Sequence, residues 1–114
     1  MSTLSSQIAR QLVAAAEDKA QQMGINVSIA VVDGGAHLLE FRRMDRAILG
    51  SADVAHKKAR TSTLFPMPTG DFGELIREAS LTGIELSNGL LTGFPGGLPI
   101  RQEGDVLGAI GISG

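Results

Sequence analysis

The sequence predicts an α+β protein, an antiparallel sheet of about five strands with helices packed on it. Three observations lead there. Asp33-Gly34-Gly35 separates two stretches of alternating side chains, which is a strong hairpin signal. Residues 102–105 form a second such turn between the last two strands. Stretches with helical spacing lie before and between these hairpins. Hairpins that flank helices, in place of a regular strand–helix alternation, make the sheet antiparallel.

Residues 4–23 read as the first helix. Ile8, Leu12, Ala16, Ala20 and Met23 recur at helical spacing, Thr3 is the expected N-cap and Gly24 the C-terminal stop. Residues 25–33 form a strand with Val27, Ile29 and Val31 on one face and Ser28, Ala30 and Val32 on the other. Both faces are largely apolar, which places this strand inside the sheet. Residues 36–43 return as its antiparallel partner, with His37, Leu39 and Phe41 on one face. A polar corner, Arg43-Met44-Asp45-Arg46, leads to a second helix over residues 49–63. Its Ala52, Ala55 and Ala59 form a small-residue stripe suited to close packing. Asp53 lies near its positive end, and Lys57, Lys58 and Arg60 near its negative end.

Pro66 and Pro68 make residues 65–70 a loop. A third helix then begins at Asp71, with Glu74 completing a capping-box pattern and Phe72, Leu75, Ile76 and Ala79 as its apolar stripe. It ends at Thr82-Gly83. Asn88-Gly89 marks a turn, and Leu90-Leu91-Thr92 reads as a short strand. The glycine-rich end, residues 93–114, reads as strand, turn and strand. In the last strand Val106, Gly108, Ile110 and Ile112 share one face, and Leu107, Ala109, Gly111 and Ser113 the other. Gly108 and Gly111 inside that strand indicate something lying close to the backbone: a helix, a second subunit or a ligand.

With 114 residues the chain has the size of one domain, and 43% hydrophobic and 19% charged residues suit a compact core. Aromatic residues make up only 4%, which leaves an aliphatic, alanine-rich core and few stacking platforms. The net charge of −2 gives no basic excess for a phosphate backbone and argues against nucleic acid as a partner. The absence of cysteine removes disulfides, thiolate metal sites and a cysteine nucleophile. No apolar run approaches the roughly 18 residues of a membrane span, and the polar N-terminus carries no signal-peptide core. The chain therefore reads as cytoplasmic, with no membrane partner.

Some residues carry chemistry in more than one reading. Arg43 and Asp45 can grip a carboxylate and move a proton, or can simply be an ion-pair corner that fixes the turn. Gly96 and Gly97 can present backbone N–H groups to a ligand oxygen, or can serve a tight turn. The stretch GFPGGLP lacks the Lys-Ser/Thr ending of a phosphate loop. Ser51, Asp53 and His56 do not make a catalytic triad, because they do not share one helix face.

Three blocks, VSIAVVDGGAHLLEFRRMDRA, SADVAHKKARTS and GGLPIRQEGDVLGAIGISG, resemble the GlcG/HbpS family of small haem-binding proteins. The same domain occurs fused to PduO-type cobalamin adenosyltransferases. The resemblance covers nearly the whole chain. Family positions carried onto this sequence are Asp33, Arg43, Met44, Asp45, Ala47, Ser51, Lys58, Ala59, Thr61, Gly96, Gly97, Pro99, Gly108, Gly111, Ser113 and Gly114. The resemblance implies a profilin-like sheet flanked by helices, assembly into dimers or larger homo-oligomers, and binding of haem, in some members with its breakdown. Family members continue past the G-x-S-G motif into one more helix, whereas this sequence stops at Gly114. The first helix also carries no histidine, whereas some haem-binding relatives use a residue there.

Haem needs an axial donor, an apolar slot and cations for its propionates. His56, beside the alanine stripe and next to Lys57 and Lys58, is the candidate axial ligand, with Arg43, Gly96 and Gly97 as further contacts. The alternative is that His56 is an ordinary half-exposed helix residue. His37, close to a turn, is expected at an exposed tip. Three functions stay open: a haem-binding homo-oligomer for storage, sensing or degradation; a catabolic enzyme acting on a small carboxylate through Arg43, Asp45 and His56; or an accessory domain without a ligand.

Overall fold

The stretch with two apolar faces becomes β1 (Ser28–Asp33) and lies inside the sheet, as those faces require. A computed structural model describes residues 3–114. Around β1 the chain arranges α1 (Ser6–Met23), β2 (Leu38–Arg43), α2 (Ser51–Leu64), α3 (Thr69–Glu78), a 3-10 turn (Ile84–Leu86), β3 (Gly97–Gln102) and β4 (Asp105–Ser113). The sheet has the order β2-β1-β4-β3, and every pairing is antiparallel.

Among the described residues four strands form, not five. The expected strand at Leu90-Leu91-Thr92 is a loop whose polar groups go elsewhere. Leu90 sits at φ 79, and Arg60 donates to the carbonyls of Asn88 (2.8 Å) and Leu90 (3.3 Å). The Thr92 N–H donates to Thr61 Oγ1 (3.0 Å) and the Leu91 N–H to the Glu85 carbonyl (2.7 Å). With these groups satisfied by α2 side chains and the 3-10 turn, no ladder is needed.

Other boundaries shift for local reasons. Ser5, not Thr3, caps α1, its Oγ accepting from the Ile8 N–H at 3.1 Å, while Gly24 ends the helix at φ 71 as expected. The buried face of α1 is Ala9, Val13 and Ala20, and Ile8 and Met23 are exposed. α3 starts at Thr69 without a side-chain cap, so Asp71 and Glu74 form no capping box. It stops at Glu78, with Phe72, Gly73 and Ile76 buried and Leu75 and Ala79 exposed. The first hairpin runs through residues 34–37. Asp33 Oδ1 accepts from both Gly35 and His37 N–H groups at 2.9 Å, and Ala36 takes the left-handed φ of 66. The second hairpin turns at Glu103 (φ 52) and Gly104 (φ 87), two left-handed residues as a type I′ turn requires.

The sheet is covered on both faces. Val27, Ile29 and Val31 join Ala9, Val13 and Ala20 beneath α1; Ala30, Val32 and Ala109 join Ala55 and Ala59 beneath α2. Two bulges break the strict alternation. One sets Leu39 as the extra residue opposite Val31 and Val32, and the other sets Leu107 beside Ile100 and Arg101. As a result Leu107 packs with Ile110 and Ile112 on the α1 side, not on the opposite face.

Glycine in the sheet serves helix packing. Gly97, Gly111 and Ala30 stand in one row across β3, β4 and β1. A Cβ on Gly111 would collide with the Ala55 carbonyl and lie 2.6 Å from the Ala59 nitrogen; one on Gly97 would lie 2.7 Å from the Lys58 carbonyl. The backbone of α2 therefore rests directly on the backbone of the sheet. At Gly108 the close neighbours are the Val32 carbonyl and the Leu4 side chain. Among the described residues, no helix is long and apolar enough to cross a membrane.

Candidate functional site

α2 has one face fixed on the sheet and one turned away from it, and this division separates the candidate residues. Ala55, Lys58, Ala59 and Ser62 are buried; His56, Lys57 and Arg60 are only half-buried. Burial pushes the His56 imidazole below its ordinary value of 6.5, the Arg60 charge adds to that, Asp53 opposes it, and Lys57 reinforces it. The neutral imidazole, the form that ligates a metal, is favoured. Lys57 forms an ion pair with Asp53 one turn earlier.

The structure adds Arg60 to the candidate residues of this face. It lies one turn beyond His56 on the same face, a relation that i,i+4 spacing makes legible in the sequence. Its guanidinium holds two backbone carbonyls of the loop carrying Asn88 and Leu90 and faces no carboxylate there. Leu86 and Leu90 on this segment are exposed.

Lys58 points the other way. Its Nζ donates to the Ile112 carbonyl at 2.8 Å, and burial lowers its affinity for the proton. Gly96 lies against it at φ 127, a conformation suited to glycine, and a Cβ there would come within 2.7 Å of Lys58 Nζ. The Gly97 N–H donates to Thr69 Oγ1 (2.8 Å), and the Gly96 carbonyl accepts from the Ile112 N–H (2.9 Å). Lys58, Gly96 and Gly97 thus come together, away from His56 and Lys57, in contacts that join α2, β3 and β4.

Arg43 and Asp45 lie elsewhere again. They line a cleft of about 460 Å³ with Arg42, Met44, Arg46, Asn26 and two residues of α1, Glu17 and Gln21. His56 is not part of it. His37 is exposed at the hairpin tip, 3.4 Å from Asp33. A further cleft of about 440 Å³, more apolar, is lined by Ile76, Leu91, Phe94 and Arg77 among others, with neither His nor Met in its wall. Among the described residues no group of three His, Cys, Asp or Glu side chains is placed to hold a metal ion.

A family model described as "Haem degrading protein HbpS-like" matches residues 4–114. Protein GlcG of Escherichia coli (strain K12) is 37% identical over 110 residues, covering 96% of this chain and 81% of GlcG. The crystal structure of Klebsiella pneumoniae protein ORFY superposes with a TM-score of 0.94 at 34% identity, covering 100% of this chain and 80% of that one. The crystal structure of the PduOC–haem complex does so with a TM-score of 0.91 at 31% identity, covering 99% and 83%. The extent of the family match and the identity to GlcG place this chain in the HbpS-like family.

Proposed function

We propose that this protein binds haem or a related tetrapyrrole as a homo-oligomer, for storage, sensing or degradation, with His56 as the axial ligand. The observation that carries the reading is the similarity, over 99% of the chain, to a domain solved in complex with haem. The residues suit the group. Haem is held through an imidazole nitrogen and through cations that meet its propionates. His56 offers a half-buried imidazole whose neutral form is favoured, and Arg60 offers a guanidinium that, among the described residues, has no carboxylate partner. Neither of the two clefts described above includes His56, and we place the haem between α2 of one copy and a surface of a second. Lys57 and Lys58 then divide the work: Lys57 borders the ligand, and Lys58, with Gly96 and Gly97, sets α2 on the sheet. Bound haem would supply a redox-active iron; the chain would supply orientation and charge.

The test is a haem titration followed by absorbance, on the wild type, His56→Ala and Arg60→Ala, with mass measured by light scattering. A saturable Soret band that is lost in His56→Ala and weakened in Arg60→Ala is expected, with the haem-loaded protein larger than a monomer. No band in the wild type overturns haem binding. A band unchanged in His56→Ala overturns the ligand assignment.

A further inference from the structure

We propose that the cleft between the last turns of α1 and the corner joining β2 to α2 binds a small oxyanion, best matched by a short polar carboxylate, at a site separate from the outer face of α2.

The cleft is built from distant parts of the chain. Glu17 and Gln21 project from successive turns of α1, Arg42 and Arg43 end β2, and Asp45 and Arg46 follow in the corner. Its three guanidinium groups face two carboxylates, so it carries an excess positive charge on a chain whose net charge is −2. Arg42 donates to Glu17 Oε1 at 2.7 Å, which neutralises one pair and ties β2 to α1. Among the described residues, Arg43 and Arg46 take part in no ion pair, and their guanidinium groups donate no hydrogen bond. Two unengaged forks beside a fixed ion pair are suited to carboxylate or phosphate oxygens, which accept paired hydrogen bonds.

The remaining residues narrow the ligand. Met44 is buried, and its sulfur accepts the Val27 N–H at 3.4 Å, so the thioether belongs to the core. Gln21 and Asn26 add carboxamides, which donate and accept, and so suit a hydroxyl or keto oxygen next to the anionic group. A volume of about 460 Å³ lies within the range of small-molecule pockets. The polar lining disfavours a large apolar ring, which separates this site from the haem reading.

Calorimetric titration of the full chain with lactate, inorganic phosphate and uncharged lactamide tests the proposal. Lactate is expected to bind saturably at millimolar concentration and lactamide not at all. The double variant Arg43→Gln/Arg46→Gln should bind lactate at least about tenfold more weakly, the scale of a lost charge-assisted pair, with its circular dichroism unchanged. Glu17→Gln releases Arg42 and should tighten binding, a gain that loosening of the fold would not produce. Saturable binding of phosphate without lactate would keep the oxyanion site and assign it to phosphate. No binding of either anion, equal binding of lactamide, or binding unchanged in the double variant overturns the proposal. Calorimetry with the anions and absorbance with haem are separate readouts on the wild type, so failure here and failure of the haem reading are read independently.

Discussion

The two faces of the sheet are packed by different means. Under α1, branched side chains fill the space: Val13 meets Ile29 and Val31, with Leu12, Ile110 and Ile112 at the margin. Under α2 the packed side chains are mostly small, Val32 being the largest of the cluster. Ala30, Ala55, Ala59 and Ala109 meet across a row of glycines, and backbone touches backbone. The first face can adjust by shifting rotamers. The second has backbone against backbone at Gly97 and Gly111, so it tolerates a gain of volume there hardly at all. The rigid face is also the one whose far side presents His56 and Arg60, and the adjustable face is the one beside the arginine-lined cleft.

This contrast can be broken from its strong side first. Gly111→Ala places a methyl group on the α2 backbone and should cost about 3 kcal/mol or more, the upper end of overpacking, read as a lower urea midpoint. An unchanged midpoint would mean that α2 can rise off the sheet. On the other face, Ile29→Val removes one methylene from a fully buried side chain and should cost only about 1 kcal/mol. A cost equal to that of Gly111→Ala would erase the distinction. The smallest effect concerns the outer face of α2. Burial and Arg60 hold His56 below 6.5, so the unfolded chain takes up more protons than the folded one as the pH falls through that value. Stability should therefore be complete above about pH 6.5 and decline below it, and His56→Gln should flatten that decline in unfolding curves measured across the range.

What could be read from the sequence follows the range of the interactions. The two faces of β1 are correct residue by residue, because a period of two is local and burial on both sides leaves no polar alternation to mislead. Both hairpins are correct because Asp33 and Gly104 act on their own neighbours. The fifth strand fails because its hydrogen-bond partners, Arg60 and Thr61, lie some thirty positions away on α2. The bulges at Leu39 and Leu107 depend on the neighbouring strand and leave no local mark. The same holds for the cleft. Arg43, Asp45 and Arg46 are visible as a polar corner, but nothing near them in sequence announces Glu17 and Gln21. His56 and Arg60 were within reach of helical spacing, whereas the turning of Lys58 toward Ile112 is a consequence of where α2 settles.

The seating of α2 on Gly97 and Gly111 also sets an order of motion. A helix whose backbone lies on a strand's backbone cannot slide or roll without lifting, so α2 and the middle of β4 should open together as one unit. Their amide protons should be among the last to exchange with solvent. Those of β2, an edge strand whose residues are half-buried or exposed, should exchange earlier. A ligand on the outer face of α2 would then report its presence as slower exchange at Ala109 and Ile110, on the far side of the helix from where it sits.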